Sequence, residues 1–138
     1  MNKLVLFVVV LLFAALEAKT PEFIELAKKL HEECNKKSPI TPEVVAKVKK
    51  DAQMDENDDA LKQHALCLAK TGKLVDENAN IQNDLIRTYL TKMGLEKDVV
   101  EKAIEKCSKV EKGKDEALHV VRLHNCYYKS IPSEYIIF

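Results

Sequence analysis

Apolar residues recur at three- and four-residue spacing along most of the chain and almost nowhere alternate, so the pattern predicts helices and no sheet. Phe23, Leu26, Leu30 and Cys34 form one stripe of a first helix from Pro21 to about Lys37. Thr20 is placed to cap it, Pro21 suits its first turn, and Glu25/Lys29, Glu32/Lys36 and Glu33/Lys37 pair along its wet side. A shorter helix starts at Thr41-Pro42-Glu43, carries Val44, Val45 and Val48, and runs to about Lys50. The acidic cluster Asp55 to Asp59 precedes a third, which holds Leu61, His64, Ala65, Cys67 and Leu68 and stops at Gly72. A fourth spans about Ile81 to Met93 with Leu85, Ile86, Tyr89 and Leu90 on a broad apolar face. A fifth, about Glu96 to Ser108, carries Val99, Val100, Ala103, Ile104 and Cys107. Gly72, Gly94 and Gly113 all fall where helices stop, and tolerance of positive φ is most useful there.

The sixth helix, about Lys114 to Ser130, is apolar over most of its circumference through Leu118, Val120, Val121, Leu123, Tyr127 and Tyr128, which marks it as the central one. Beyond it, residues 131–138 form a strongly apolar tail. Burying one large apolar side chain is worth about 1.5–3 kcal/mol, so this tail is expected to fold back onto the body or into a cavity. The expected fold class is all-α, with six short helices.

The N-terminus has a different pattern. After Met1-Asn2-Lys3, residues 4–16 carry no polar side chain, and Glu17 and Ala18 follow. A membrane-spanning helix needs about twenty apolar residues, so the run is too short for one. It reads as a secretory signal peptide over residues 1–18, leaving one domain over residues 19–138 that is secreted into extracellular fluid. Cleavage removes Lys3 and Glu17 together, so the balance of 22 Lys+Arg against 22 Asp+Glu stays neutral. Neutrality argues against a nucleic-acid partner, which demands an excess of phosphate-facing cations. An apolar content of 46% excludes an intrinsically disordered chain.

Four cysteines in a secreted chain imply two disulfides, and Cys34, Cys67, Cys107 and Cys126 fall on four different predicted helices. Each of the three pairings would therefore join helix to helix, and spacing does not choose among them. His31 with Cys34 and His64 with Cys67 also have the spacing of a two-histidine, two-cysteine zinc site, but oxidation in a secreted chain competes against it and no metal is expected. The segment Asp76 to Asn80 begins like a calcium loop, yet Ile81 and Arg87 stand where glycine and glutamate are needed. Nucleophile elbows, phosphate loops and His-Glu-x-x-His motifs are missing, so an enzyme is not expected and no cofactor is implied.

The cysteines are separated by 32, 39 and 18 intervening residues. With six helices and an apolar terminus, the chain resembles the insect pheromone and general odorant-binding protein family, specifically its four-cysteine "minus-C" subclass. Gln63 and Ala117 stand where six-cysteine members have their second and fifth cysteines. Lys73-Leu74-Val75-Asp76-Glu77-Asn78 looks like the family's connection between third and fourth helices. The resemblance implies the pairing of Cys34 with Cys67 and of Cys107 with Cys126, and a helical shell around an apolar cavity that carries small hydrophobic molecules such as odorants or pheromones. It also implies that the seam between the third and sixth helices lacks a staple and is more deformable there. A membrane chemoreceptor is a candidate partner, and the expected state is a monomer or weak homodimer.

Within that framework the expected ligand-lining residues are Leu68, Ile86, Leu90, Met93, Val100, Ile104, Val121 and Tyr127, with Tyr135, Ile136 and Phe138 as a lid. His124 or a tyrosine hydroxyl is the expected polar handle. The competing reading is a secreted helical interaction protein that meets a membrane or a protein partner through its apolar tail.

Overall fold

In a computed structural model, which describes residues 20–138, the chain folds into six α-helices: α1 (Pro21–Lys37), α2 (Pro42–Asp51), α3 (Asp59–Thr71), α4 (Asn83–Lys92), α5 (Lys97–Cys107) and α6 (Glu116–Ser130). A short 3-10 turn, Ser133–Tyr135, interrupts the tail. The signal peptide expected over residues 1–18 lies outside the described residues. Among the described residues, no helix is long and apolar enough to cross a membrane.

Local chemistry accounts for the helix starts. The hydroxyls of Thr20 and Thr41 accept from the backbone N–H groups of Phe23 and Val44, and proline opens the helix after each. Asp58 and Asp115 do the same for α3 and α6, with their carboxylates accepting from Leu61 and Leu118 at 3.0 Å each. Such caps satisfy N–H groups that have no partner within the helix.

The helix stops follow expectation less closely. Gly94 and Gly113 take positive φ, at 90° and 62°, but Gly72 sits at −78° and the left-handed residue is its neighbour Lys73 at 61°. Gly72 serves a close approach instead. A Cβ there would lie 3.0 Å from the Leu68 carbonyl oxygen and 3.3 Å from the side chain of Leu30. Leu85, expected on the apolar face of the fourth helix, is exposed.

The disulfides are Cys34–Cys67, joining α1 to α3, and Cys107–Cys126, joining α5 to α6. Between them α6 is the central element: it packs most extensively on α3, also on α5, and buries Ala117, Val120, Val121, Leu123, His124 and Tyr127. The seam without a staple is thus the most extensive helix contact in the described fold. Ala117, one of the two positions where a cysteine is missing, is buried, and Lys70 reaches Glu116 across the seam at 3.5 Å.

The turn between α2 and α3 is tied to α6. Ala52 takes a left-handed conformation that ends α2, and Met54 follows fully buried. The Asn125 side chain accepts from the Met54 N–H at 2.8 Å and donates to the Met54 carbonyl at 3.0 Å, while Arg122 pairs with Glu56 at 2.7 Å. The calcium-like segment is likewise committed to itself. Asp76 accepts from the backbones of Asn78 and Asn80 at 2.9 Å, and these bonds hold its carboxylate below the usual range.

Candidate ligand-binding site

The tail does fold back. Ile131, Ile137 and Phe138 are buried, and the segment closes a gap left between the N-terminus of α1, the end of α3, α4 and the C-terminal half of α6. That gap is a cavity with a free volume of about 60 Å³. Ile86, Leu90 and Met93 of α4 form one wall, and Leu123, His124 and Tyr127 of α6 form another. Tyr135, Ile136 and Ile137 of the tail supply a third.

Seven expected lining residues therefore meet around one space: Ile86, Leu90, Met93, His124, Tyr127, Tyr135 and Ile136. Leu68, Val100, Ile104 and Val121 do not reach it and are packed in the core. The reason is geometric. A helical stripe faces all its neighbours, whereas the gap touches only part of each stripe: α5 packs on α4 and α6 and contributes nothing to the wall. On α3 it is Ala69 that borders the cavity, its short side chain leaving space that a longer one would fill.

Phe138 also lies elsewhere. The backbone is extended at Ile136, where the 3-10 turn ends. With Ile137 in the cavity, Phe138 turns onto a pair of histidines, its ring edge-on to His31 at 5.1 Å and to His64 at 6.1 Å.

Sequence reasoning missed Phe23, Ala69, Leu74, Tyr89, Leu123, Ile131 and Ile137 as wall residues. Phe23 was legible as the first member of the α1 stripe and Tyr89 as part of the α4 face. Nothing in the periodicity reveals that the gap opens at the end of α1, because that depends on where the tail returns.

Two polar groups of the wall are engaged by the backbone. Tyr89 donates to the Gly72 carbonyl at 3.4 Å. His124 donates from Nδ1 to the Val120 carbonyl at 3.1 Å, and burial holds its imidazole below the ordinary histidine range, with backbone bonds to Val120 and Ile137 pulling the other way. The buried hydroxyl of Tyr127 has no hydrogen-bond partner. Burial pushes its phenol up to about 12, so it stays an O–H.

Behind the tail, the histidine pair has a determined proton arrangement. His64 Nδ1 lies 2.8 Å from the Ser38 carbonyl, which only accepts, so the proton is on Nδ1 and Nε2 is bare. That bare Nε2 accepts from His31 Nδ1–H at 3.1 Å, leaving His31 Nε2 unprotonated, buried and unpartnered. Burial lowers the pKa of both rings, and for His31 the neighbouring His64 charge adds to the effect. With Cys34 and Cys67 joined in a disulfide, these two histidines have no thiolate to share a metal with.

The described residues thus form a disulfide-stapled helical shell whose tail borders an apolar cavity. The chain belongs to the PBP/GOBP family, the pheromone and general odorant-binding proteins: the family profile matches residues 17–130. Members of the family are secreted binding proteins. The chain is similar to the B1 protein of Tenebrio molitor, with 30% identity over 124 residues that cover 89% of this chain and 92% of the relative. It is similar to the B2 protein of the same organism at 30% identity over 124 residues, covering 89% of this chain and 93% of the relative. Two disulfides from four cysteines fit the minus-C subclass.

Proposed function

We propose that this chain is secreted after removal of residues 1–18 and carries small hydrophobic molecules, odorants, pheromones or similar lipophiles, through extracellular fluid. The observation that carries the reading is the apolar cavity closed by residues 131–137 in a chain of an odorant-binding family. Its lining is almost wholly apolar, so binding is driven by removal of apolar surface from water at about 25 cal/mol per Å². Selectivity is broad, because an extra methylene changes such binding by only about 1 kcal/mol. Delivery to a membrane chemoreceptor by a monomer or weak homodimer belongs to the same reading.

Small-molecule sites commonly measure about 300–1,000 Å³, well above the 60 Å³ free here, so loading requires the tail to move outward. The test is displacement of the fluorescent probe N-phenyl-1-naphthylamine by small lipophiles, on the chain from residue 19 and on a variant ending at residue 134. The expected result is competition at micromolar concentration that changes in affinity when Tyr135 to Phe138 are removed. Probe binding without competition would favour an interaction protein that uses its tail as a contact surface, and equal affinities for the two chains would sink the lid.

A further inference from the structure

We propose that His124 selects ligands that carry a hydroxyl, aliphatic alcohols above all, over ketones, esters and hydrocarbons of the same length. The inference rests on the carrier reading and adds a ligand class to it. Its starting point is a ring set between two acceptors. His124 Nδ1 lies 3.1 Å from the Val120 carbonyl oxygen, and the Ile137 carbonyl approaches the ring from the tail. A carbonyl only accepts and a neutral imidazole carries one proton, so one ring nitrogen stays bare in either tautomer. The bond to Val120 puts the proton on Nδ1 and leaves Nε2 as a free acceptor.

That nitrogen can be reached. Among the described residues Nε2 has no hydrogen-bond partner, yet it is not one of the sealed atoms, as the Tyr127 hydroxyl is. His124 is 6% exposed, borders the cavity, and lines none of the larger clefts on the outer surface. Its remaining access is therefore to the cavity. Burial disfavours the imidazolium, the one form of the ring with no bare nitrogen.

The other polar side chains of the wall do not reverse the preference. Tyr89 is bonded to the Gly72 carbonyl, and the Tyr127 hydroxyl is out of reach. Tyr135 is half-buried, and a phenol both donates and accepts, so it treats alcohol and ketone alike.

Counting donors ranks the ligands. An alcohol gives its O–H to Nε2, and the buried acceptor and the incoming donor are both paired. A ketone or an ester brings only acceptors, so its oxygen meets a bare nitrogen and no bond forms. A hydrocarbon leaves Nε2 as it is in the empty protein. Stranding a buried hydrogen-bonding group commonly costs about tenfold in affinity.

The experiment uses the chain from residue 19, the probe N-phenyl-1-naphthylamine, and the competitors 2-undecanol, 2-undecanone and undecane, on wild type and His124→Leu. It is run at about pH 7.5, where a histidine held below its ordinary range is neutral. The three competitors differ in water solubility, so the informative quantity is how each affinity changes on substitution. The expected result is about tenfold weaker binding of 2-undecanol in His124→Leu and no loss for 2-undecanone or undecane. In wild type the nitrogen NMR resonance of His124 Nε2 should also move upfield when 2-undecanol is added, and not when 2-undecanone is added. Equal changes for alcohol and ketone, or a resonance unmoved by the alcohol, would overturn the proposal while leaving the carrier reading intact. Failure of every competitor to displace the probe from wild type would overturn both. In a helix the Val120 carbonyl also accepts from the backbone N–H four residues on, so His124→Leu strands no acceptor and should fold. If its melting temperature shows otherwise, the wild-type resonance decides alone.

Discussion

Two regions pack against α6, and they are finished to different degrees. On one side, the turn between α2 and α3 is tied to the helices around it: Asn125 brackets both backbone groups of Met54, Asp58 caps α3, and Arg122 holds Glu56. Met54 itself is fully buried. On the other side, the C-terminal half of α6 faces free volume, an unpaired phenol, and a wall of tail residues with no covalent tie. A helix held this firmly on one face stays in place when the other face is left incompletely packed. The binding protein needs both, since a cavity that could collapse would not remain one.

The contrast can be broken hardest at Asn125. Asn125→Ala strips the partners from the buried N–H and C=O of Met54, and the expected loss is about 2–4 kcal/mol of stability, read from the urea midpoint. A loss below about 1 kcal/mol would show that water replaces the side chain and that this region is not closed.

A sharper comparison lies within α3, where Ala65 and Ala69 are one turn apart and both fully buried, but only Ala69 borders the cavity. Ala65→Val should overpack the core and cost about 1–3 kcal/mol, while Ala69→Val has free volume to enter and should change stability by less than about 1 kcal/mol. The same Ala69→Val should weaken ligand binding, measured by probe displacement. Unchanged affinity there would remove the cavity as the binding site.

The gentlest test changes only pH. His31, His64 and His124 are held below the histidine reference of 6.5 in the folded chain, chiefly by burial. The unfolded chain therefore binds protons first as pH falls. Stability is complete above about pH 6.5 and declines as pH drops from there toward the lowered folded values. The melting temperature is expected to be lower at about pH 5 than at about pH 7.5, and His124→Gln should flatten part of the slope. A melting temperature constant across that range would mean that these rings are solvated.

Much of this was legible before any coordinates. Thr20-Pro21, Thr41-Pro42 and the acidic residues before α3 announced their helices because capping is a contact between near neighbours in sequence. The apolar tail announced its own burial. Gly72 was misread for an instructive reason: its φ is ordinary, and what crowds it is the Leu68 carbonyl one turn back together with the Leu30 side chain far away in sequence, neither of which a rule about positive φ at helix ends registers.

Periodicity, caps and cysteine spacing were enough to specify six helices, two staples and the family, because each is encoded within a few turns of chain or in a count. Which faces of those helices meet and which leave a gap was settled by packing. Val100 and Ile104 look as eligible for a cavity as Ile86 and Leu90, and no property of their own stripe separates them. The return of the tail separates them, laying Ile137 into the gap, turning Phe138 onto the histidines, and leaving the Tyr127 hydroxyl sealed without a partner. A cavity is an absence of atoms between elements distant in sequence, and a pattern that records only what each residue is cannot record what fails to fill the space beside it.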